Sequence, residues 1–386
     1  MTNHDFVPEN GVNVLAFGAD PSGLADSHAA FTKAAAAARE KRKPVYIPTG
    51  LYILENTWLL PSDTTVVAEK TARIKLGGAR RKTRGDFLVS NADPVNGNKN
   101  ITIFGGVWDG NNTSANNAKP DLFDKNGYSG AVLNFSGVEQ LTLSALTVAN
   151  SVTYNIRMTR IANFVIEDID FVSDAFGQNQ DGLHFGGEIR NGRVKNIRAL
   201  SNGQTNDDLI ALNADDSVER VENLDLVRGA IENITFENLF AENCHTVLRF
   251  LSVTAPIKNI TIRNVYGGYR CYALNLDGAR YCRTPLFAEA DFPNGIGVIE
   301  NVLVEAMLCR ETGTGGNPAV CLESGAKNFR LKDFRLTREN SDAPALIAKN
   351  LVRTSVTADG AAHTLENKSD RLALADFTDL AVETTL

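Results

Sequence analysis

The sequence has few features of a disulfide-linked, membrane-spanning or nucleic-acid-binding protein. Its five cysteines are an odd number and include no CxxC pair, which favours free thiols in a reducing compartment over a disulfide framework or a zinc site. No apolar run approaches the ~20 residues that a membrane span needs. Acidic residues outnumber basic ones by 46 to 39, so the formal charge is −7, whereas nucleic acids and anionic membranes bind surfaces rich in Lys and Arg. We therefore expect neither nucleic acid nor a membrane as a partner.

The N-terminal ten residues lack the basic-then-apolar pattern of a secretory signal. Together with the unpaired cysteines, this predicts a cytoplasmic location, with secretion as the alternative if a leader has been removed. No histidine has metal-ligand spacing, and no Gly-rich phosphate loop stands between a strand and a helix. We therefore expect no metal and no cofactor.

One helix is predicted near the N-terminus. Asp26 is a suitable N-cap, and the stretch from Ser27 to about Lys41 is rich in alanine, the best helix former. Basic residues follow at the C-terminal end, where they interact favourably with the helix dipole, and Pro44 stops the helix. The alanine-rich face indicates close packing against a flat surface.

A short pattern then recurs along the chain: an aliphatic residue, two mostly polar residues and a second aliphatic residue. It is found at Leu143/Leu146, Ile166/Ile169, Val194/Ile197, Phe236/Leu239, Ile262/Val265, Ile299/Val302 and Leu331/Phe334. The smallest step is 23 residues, and the longer steps are typical of a solenoid whose coils carry loops of different length. Asn often precedes an aliphatic residue at these positions, as expected in turns between strands. Period-two alternation indicates strands, and no helical pattern separates them.

These patterns predict an all-β protein, a right-handed parallel β-helix capped at its N-terminal end by the alanine-rich helix. We expect a single domain over 1–386, with the cap and first strands at about 12–55, coils at about 56–340 and C-terminal strands or a cap at about 341–386. The alternative is a large β-sandwich, which would need hairpin turn signals and would make the repeat spacing accidental.

Polar clusters precede the apolar alternation on adjacent predicted coils. Asp181 lies in one cluster, and Asp207 and Asp208 lie in the next. Because equivalent positions of stacked strands are ~4.8 Å apart, we expect these carboxylates to converge. Crowding raises at least one carboxyl pKa and retains a proton near neutral pH, as glycosidic cleavage by two carboxylates requires. Taken singly, each cluster is ordinary turn chemistry.

The sequence resembles the family 28 glycoside hydrolases, the polygalacturonase-like β-helix enzymes, whose motifs read Asn-x-Asp, Asp-Asp, Gly-His-Gly and Arg-x-Lys. The resemblance runs from about Ile101 to Asp277. The opening Phe17–Gly23 is similar to that of pectate-lyase-type β-helix proteins, phage tailspikes among them. The resemblance implies an inverting hydrolysis in which Asp207 is the general acid, and Asp181 and Asp208 activate a water.

The sequence departs from this family in two places. His245 stands at the histidine position, but Cys244 and Thr246 replace the glycines, so His245 either lines the site or belongs to a turn. The stretch Tyr272–Asp277 occupies the Arg-x-Lys place, and its outward positions are Asn275 and Asp277 rather than cations. This absence argues against galacturonan as the substrate.

Other candidate substrate-binding residues follow from the alternation and the resemblance. His184 and Arg249 are expected to project outward and edge the same cleft. Arg249 can grip a carboxylate or vicinal hydroxyls, or it forms a solvated salt bridge. Tyr154 stacks on a sugar or belongs to the core. Asp215–Asp216 is read as a loop turn rather than a metal or acid site.

Taken together, the sequence predicts a polygalacturonase-like glycoside hydrolase acting on a pectin-like polysaccharide or an oligosaccharide. The alternatives are a lyase, an epimerase or a fructan-type transglycosylase on the same scaffold, or a non-catalytic, tailspike-like glycan-binding protein. The expected partner is a saccharide. The sugar, the linkage, exo or endo action, and assembly into a homo-oligomer such as a trimer stay open.

Overall fold

The computed structural model describes residues 10–78, 83, 85–113, 128–216, 225–278, 289–313, 316–338 and 341–385. These residues form two compact units, which we call unit 1 (within Met1–Gln178) and unit 2 (within Asn179–Val218 and Asp225–Leu386). Four cysteines are described, and each is a free thiol; Cys282 lies outside the described residues. Within the described part of the chain, no helix is both long and apolar enough to cross a membrane. The single-domain boundaries stay a prediction.

Unit 1 contains one α-helix and thirteen strands among its described residues. The helix α1 spans His28–Lys41, and the strands are β1 (Val12–Asn13), β2 (Ser22–Asp26), β3 (Val45–Ile47), β4 (Gly50–Leu54), β5 (Trp58–Leu60), β6 (Thr64–Ala68), β7 (Ala72–Leu76), β8 (Val89–Asn91), β9 (Asn98–Phe104), β10 (Val107–Asp109), β11 (Leu133–Ser144), β12 (Thr147–Ala149) and β13 (Ile156–Val172).

The strands of unit 1 form three parallel ladders. The first runs β1–β3–β6–β9–β11–β13, the second β2–β4–β7–β10–β12–β13 and the third β5–β8–β11–β13. Each ladder joins strands from successive coils, which is the topology of a parallel β-solenoid. The predicted all-β solenoid is therefore confirmed.

Helix α1 lies where the alanine-rich pattern predicts it. Asp26 accepts a hydrogen bond from the His28 amide, and Arg42 ends the helix in the left-handed conformation. The helix buries Phe31 and four alanines. The Phe31 ring meets the ring of Trp58 edge-on, with centroids 5.1 Å apart, so the small alanines let the helix approach the coil while Phe31 anchors it.

Unit 2 contains the remaining strands. They are β14 (Leu183–Phe185), β15 (Ile189–Ala199), β16 (Asp208–Asn213), β17 (Ile231–Leu251), β18 (Ile257–Asp277), β19 (Ile299–Glu311), β20 (Val320–Leu322), β21 (Ala326–Thr337), β22 (Leu346–Lys349), β23 (Thr354–Ala358), β24 (Ala361–Leu365), β25 (Arg371–Leu374) and β26 (Leu380–Thr384). A short 3₁₀ turn lies at Glu289–Asp291.

Two parallel ladders build unit 2. One runs β14–β16–β17–β18–β20–β22 and the other β15–β17–β18–β19–β21. At the C-terminal side the direction reverses: β26 pairs antiparallel with β21 and β23, and β25 pairs antiparallel with β22. The predicted C-terminal strands are therefore present.

Stacked asparagines lie at bends within the long strands of unit 2. Asn238 donates to the Asn196 side chain at 2.8 Å and accepts from Asn264 at 3.1 Å. A second ladder joins Asn191, Asn233, Asn259, Asn301 and Asn328. All of these asparagines have a positive φ of 51° to 60°, a region that Asn tolerates better than most residues. The expected stacking of asparagines on successive coils is thus confirmed, but each of them bends a continuous strand rather than lying in a turn between strands.

The predicted register is wrong at one coil. Ile262 pairs with Val304, and Val304 pairs with Leu331, whereas the sequence pattern placed Ile299 at that step. Ile299 instead follows Ile257. Because Ile299, Val302 and Val304 are all aliphatic, the alternation alone fits more than one phase.

Candidate active site

The three predicted catalytic aspartates lie on neighbouring coils of unit 2. Leu183 in β14 pairs with Ile210 in β16, and the Gly182 amide donates to the carbonyl of Asp208 at 2.9 Å. Asp181 therefore lies beside Asp207 and Asp208, at the ends of paired strands. We call these three residues the acidic cluster.

The acidic cluster is only partly open to solvent. Asp181 and Asp208 are 2% and 1% exposed, while the Asp207 side chain is 22% exposed. Burial raises the pKa of Asp208 well above its usual value, and the nearby Asp207 adds to this. Burial also raises the pKa of Asp181, against the opposing hydrogen bond from His184. The cluster therefore retains a proton more readily than isolated carboxyl groups would.

His245 stands next to the exposed carboxylate. Its Nδ1 lies 3.4 Å from Asp207 Oδ1, and its side chain is 41% exposed. Hydrogen bonds with Asp207 and Cys271 raise the pKa of His245 to about 10. His245 is therefore a cation at neutral pH, and it lines the cluster rather than serving only a turn.

The residues around His245 raise the alternative of a bound metal ion. The ligand atoms of Asp207, Asp208 and His245 lie within 4.8 Å of one another. However, Arg249 already pairs with Asp208, and a metal would have to displace the proton of His245. We therefore assign no metal to these residues, and the expected absence of a cofactor stays a prediction.

Arg249 bridges two buried carboxylates and does not project freely. Its Nη1 lies 3.3 Å from Asp208 Oδ2, and its Nη2 lies 3.1 Å from Asp277 Oδ2. The Arg249 side chain is 11% exposed, which excludes the solvated salt bridge. The positive guanidinium offsets the negative charge of the Asp208 and Asp277 carboxylates. Because it already pairs with both of them, it is less available to bind a substrate.

His184 is almost wholly buried. It faces away from the coil interior, between Leu183 and Phe185, but is 1% exposed. Its Nδ1 lies 2.6 Å from Asp181 Oδ2, and its Nε2 lies 3.4 Å from Asp216 Oδ2. The expectation that His184 edges an open cleft is therefore corrected, because two carboxylates cover it.

The other two predicted binding residues are also buried. Asn275 pairs in register with Arg249 and is 7% exposed. Tyr154 belongs to unit 1, where it packs with Phe87 and Ala131 and is 2% exposed. Tyr154 is therefore a core residue, the second of the two roles expected for it, and its buried ring offers no face on which a sugar could stack.

Arg270 is a site residue that the sequence analysis missed. Its Nη2 donates to Asn206 Oδ1 at 2.6 Å, and its Nη1 donates to the Asn243 carbonyl at 2.5 Å. The strand register shifts between Ala241 and Thr246, so the coil after His245 brings Arg270 to the cluster. The Arg-x-Lys place at Tyr272–Asp277 contains no cation, and Arg270, two residues before it, supplies one instead. The position of Arg270 depends on the irregular register of these strands, and the alternation of apolar and polar residues in the sequence does not reveal that irregularity.

The comparisons with known proteins agree with this architecture. A family model described as "Rhamnogalacturonase A/epimerase, pectate lyase-like" matches residues 11–270. The preneck appendage protein of Bacillus phage PZA is 34% identical over 110 residues, which cover 28% of this chain and 12% of that protein. The putative phage-related protein YobO of Bacillus subtilis (strain 168) is 27% identical over 183 residues, 45% of this chain and 22% of YobO. The chain thus spans a minor part of these curated relatives.

Solved structures share the fold at low sequence identity. The A-module of mannuronan C-5 epimerase AlgE6 from Azotobacter vinelandii aligns with a TM-score of 0.58 at 14% identity, over 88% of this chain and 90% of the module. An exopolygalacturonase from Thermotoga maritima aligns with a TM-score of 0.53 at 13% identity, over 97% and 96% of the two chains. The tailspike protein of E. coli bacteriophage HK620, solved with a pentasaccharide, gives a TM-score of 0.58 at 13% identity, over 91% of this chain and 66% of the tailspike. The fold is a right-handed parallel β-helix.

Proposed function

Because the chain belongs to the rhamnogalacturonase A/epimerase, pectate lyase-like family, we propose that it is a polysaccharide-active enzyme, specifically a glycoside hydrolase with Asp207 as proton donor. One observation carries the proposal. Asp207 is partly exposed, and the buried carboxyl groups of Asp181 and Asp208 lie beside it. Carboxyl groups this close share a proton, and the exposed member can deliver it to a glycosidic oxygen.

The second role in hydrolysis belongs to a carboxylate that takes a proton from the attacking water. Asp181 suits this role because the hydrogen bond from His184 at 2.6 Å favours its ionised form. The base role that the resemblance implies for Asp208 stays a prediction. No cofactor takes part in this scheme.

Positive charge near Asp207 favours an acidic sugar as the substrate. His245 is a cation at neutral pH, and Arg270 lies close enough to interact with Asp207 electrostatically. A uronic acid carboxylate would find both cations beside the proposed proton donor. We therefore place uronic oligosaccharides first among the substrate candidates.

The test combines a substrate screen with one isosteric variant. Uronic, neutral and fructan oligosaccharides are incubated with the protein, and the stereochemistry of fresh product is followed by NMR. Asp207→Asn should lower kcat by about 10²- to 10⁴-fold, as for the loss of a general acid. Asp333→Asn is the matched control, because Asp333 has a 45% exposed side chain beside Arg335 and a positive φ that Asn tolerates.

Each product has a distinct meaning. An inverted reducing end supports the proposal, whereas an unsaturated end indicates a lyase, an epimerised sugar without cleavage indicates an epimerase, and a cyclic dianhydride indicates internal transfer. Hydrolysis with unchanged activity in Asp207→Asn would remove Asp207 from the mechanism.

A second candidate function is glycan binding without catalysis. The burial of Asp181 and Asp208 favours it, because a hydrolytic base must reach a water. In that case calorimetry would detect saccharide binding by the wild type while the screen shows no product. Light scattering would then test whether the binding form is an oligomer.

A further inference from the structure

A buried histidine lies between two buried carboxylates in unit 2. The Asp181, His184 and Asp216 side chains are each less than a tenth exposed. Asp181 meets Nδ1 of the imidazole at 2.6 Å, and Asp216 faces Nε2 at 3.4 Å. We call this arrangement the Asp181–His184–Asp216 triad. The proposed hydrolysis assigns no role to Asp216.

The local structure presents Asp216 to the imidazole. His184 in β14 pairs in register with Ala211 in β16, and a methyl group at that position leaves space beside the ring. Asp216 follows the end of β16, and Asn213 Nδ2 donates to its Oδ2 at 3.3 Å.

The adjacent Asp215 anchors this turn from the other side. Its Oδ2 accepts the amides of Val253, Thr254 and Ala255 at 2.8, 2.6 and 2.6 Å. Three backbone hydrogen bonds to one carboxylate hold the turn in place. Asp215 is thus structural, whereas the next residue points to His184.

When both carboxyl groups are ionised, each ring nitrogen faces a hydrogen-bond acceptor, so the triad is satisfied only if both nitrogens carry protons. A neutral imidazole would turn one lone pair toward a carboxylate, which is repulsive in a buried site. Burial opposes the charged ring, but the hydrogen bond to Asp181 and the nearby carboxylate of Asp216 outweigh it and raise the pKa of His184 to about 9. The charged groups around Asp181 include His184, Asp207, Asp208 and Arg249.

We propose that His184 and Asp216 are positioning residues that favour the ionised form of Asp181 and fix the direction of its carboxylate. His184 donates to Asp181, and Asp216 holds the far side of the ring and stabilises its charge. Without this support, burial and the neighbouring Asp207 would favour a protonated Asp181. The inference rests on the proposed function, because it assigns Asp181 the role of base, but the charge state of the triad is measurable without any substrate.

The first experiment is a ¹⁵N NMR titration of the histidine side chains in the full chain, with His184→Gln identifying the His184 signal. In the wild type both ring nitrogens should carry protons at pH 7 and lose one near pH 9. In Asp216→Asn this titration should move about 1–3 pH units lower, the usual effect of an opposite charge at this range. Asp333→Asn should leave it in place.

A His184 ring that is neutral at pH 7 in the wild type would overturn the triad, even if Asp216→Asn fails to fold. An unchanged titration in folded Asp216→Asn would overturn the contribution of Asp216.

The second experiment is the pH profile of kcat/KM on the uronic substrate found in the screen. In Asp216→Asn, the acidic limb, where the base must lose its proton, should move to higher pH, and KM at high pH should change little. An unshifted limb would overturn the positioning role. If the screen finds no turnover, the hydrolase proposal fails, and the NMR titration still decides whether the triad exists.

Discussion

Replacing His184 should remove a pH-dependent part of the stability of this protein. The folded-state pKa of His184 is about 9, whereas an unfolded histidine titrates near ~6.5. The folded state binds this proton more tightly, so the stabilisation is fully present below about pH 6.5 and is lost as the pH rises through about 9. A difference of roughly 2.5 pK units at ~1.4 kcal/mol each corresponds to ~3 kcal/mol of unfolding free energy.

Urea unfolding at several pH values between about 6 and 9.5 measures this contribution. The free energy of unfolding of the wild type should fall by ~3 kcal/mol more than that of His184→Gln over this range. Taking the difference between the two proteins cancels groups that titrate alike in both, such as Tyr46, whose pKa burial raises to about 12. His363→Gln, in the C-terminal β23–β24 hairpin, is the control for the substitution itself. Parallel stability curves for wild type and His184→Gln would refute a charged His184.

Three further predictions concern stability alone and are checked by the same urea midpoints. Arg249→Met should cost about 3–5 kcal/mol because it leaves the buried carboxyl groups of Asp208 and Asp277 without their cation. Arg263→Met breaks an exposed pair with Glu305 and should cost less than about 1 kcal/mol. Equal losses in the two variants would contradict the bridge. Phe31→Ala should cost about 3–5 kcal/mol through the cavity beside Trp58, and the exposed Phe176→Ala should change stability by no more than about 0.5 kcal/mol. Asn238→Ala should cost about 1–3 kcal/mol by placing Ala at a positive φ and removing two side-chain hydrogen bonds. Asn238→Gly should cost less, since Gly tolerates that φ, and a larger loss for Gly would argue against backbone strain.

Much of the fold could be predicted from the sequence because its coils repeat a local pattern. The positions of helix α1 and of the stacked asparagines follow from residue preference alone. The register at Ile299 could not be predicted in this way, because several aliphatic residues alternate there and the loop length varies between coils. Alternation gives the face of a strand but not the number of residues in the loop before it.

The candidate site was predictable to the level of the acidic cluster. The repeat length of the coils predicts that Asp181 and Asp207 occupy similar positions on neighbouring coils, and the structure brings these residues together. The contributions of Arg270 and Asp216 depend on a shifted register and on a turn held by Asp215, and neither has a periodic signature. Burial of His184 and Tyr154 was likewise hidden, because sequence alternation reports which side a residue faces and not what covers it.

The reversal of chain direction at β25 and β26 bears on how unit 2 avoids polymerisation. The two edges of a parallel coil carry complementary backbone donors and acceptors, so a further parallel coil can always pair with the last one. Nothing in parallel pairing itself limits the number of coils that stack. An antiparallel strand spaces its hydrogen-bonding groups differently, and β22 already pairs with β25 along its length. A further parallel segment would therefore meet a mismatched hydrogen-bonding edge on that side, which discourages end-to-end fibre growth there.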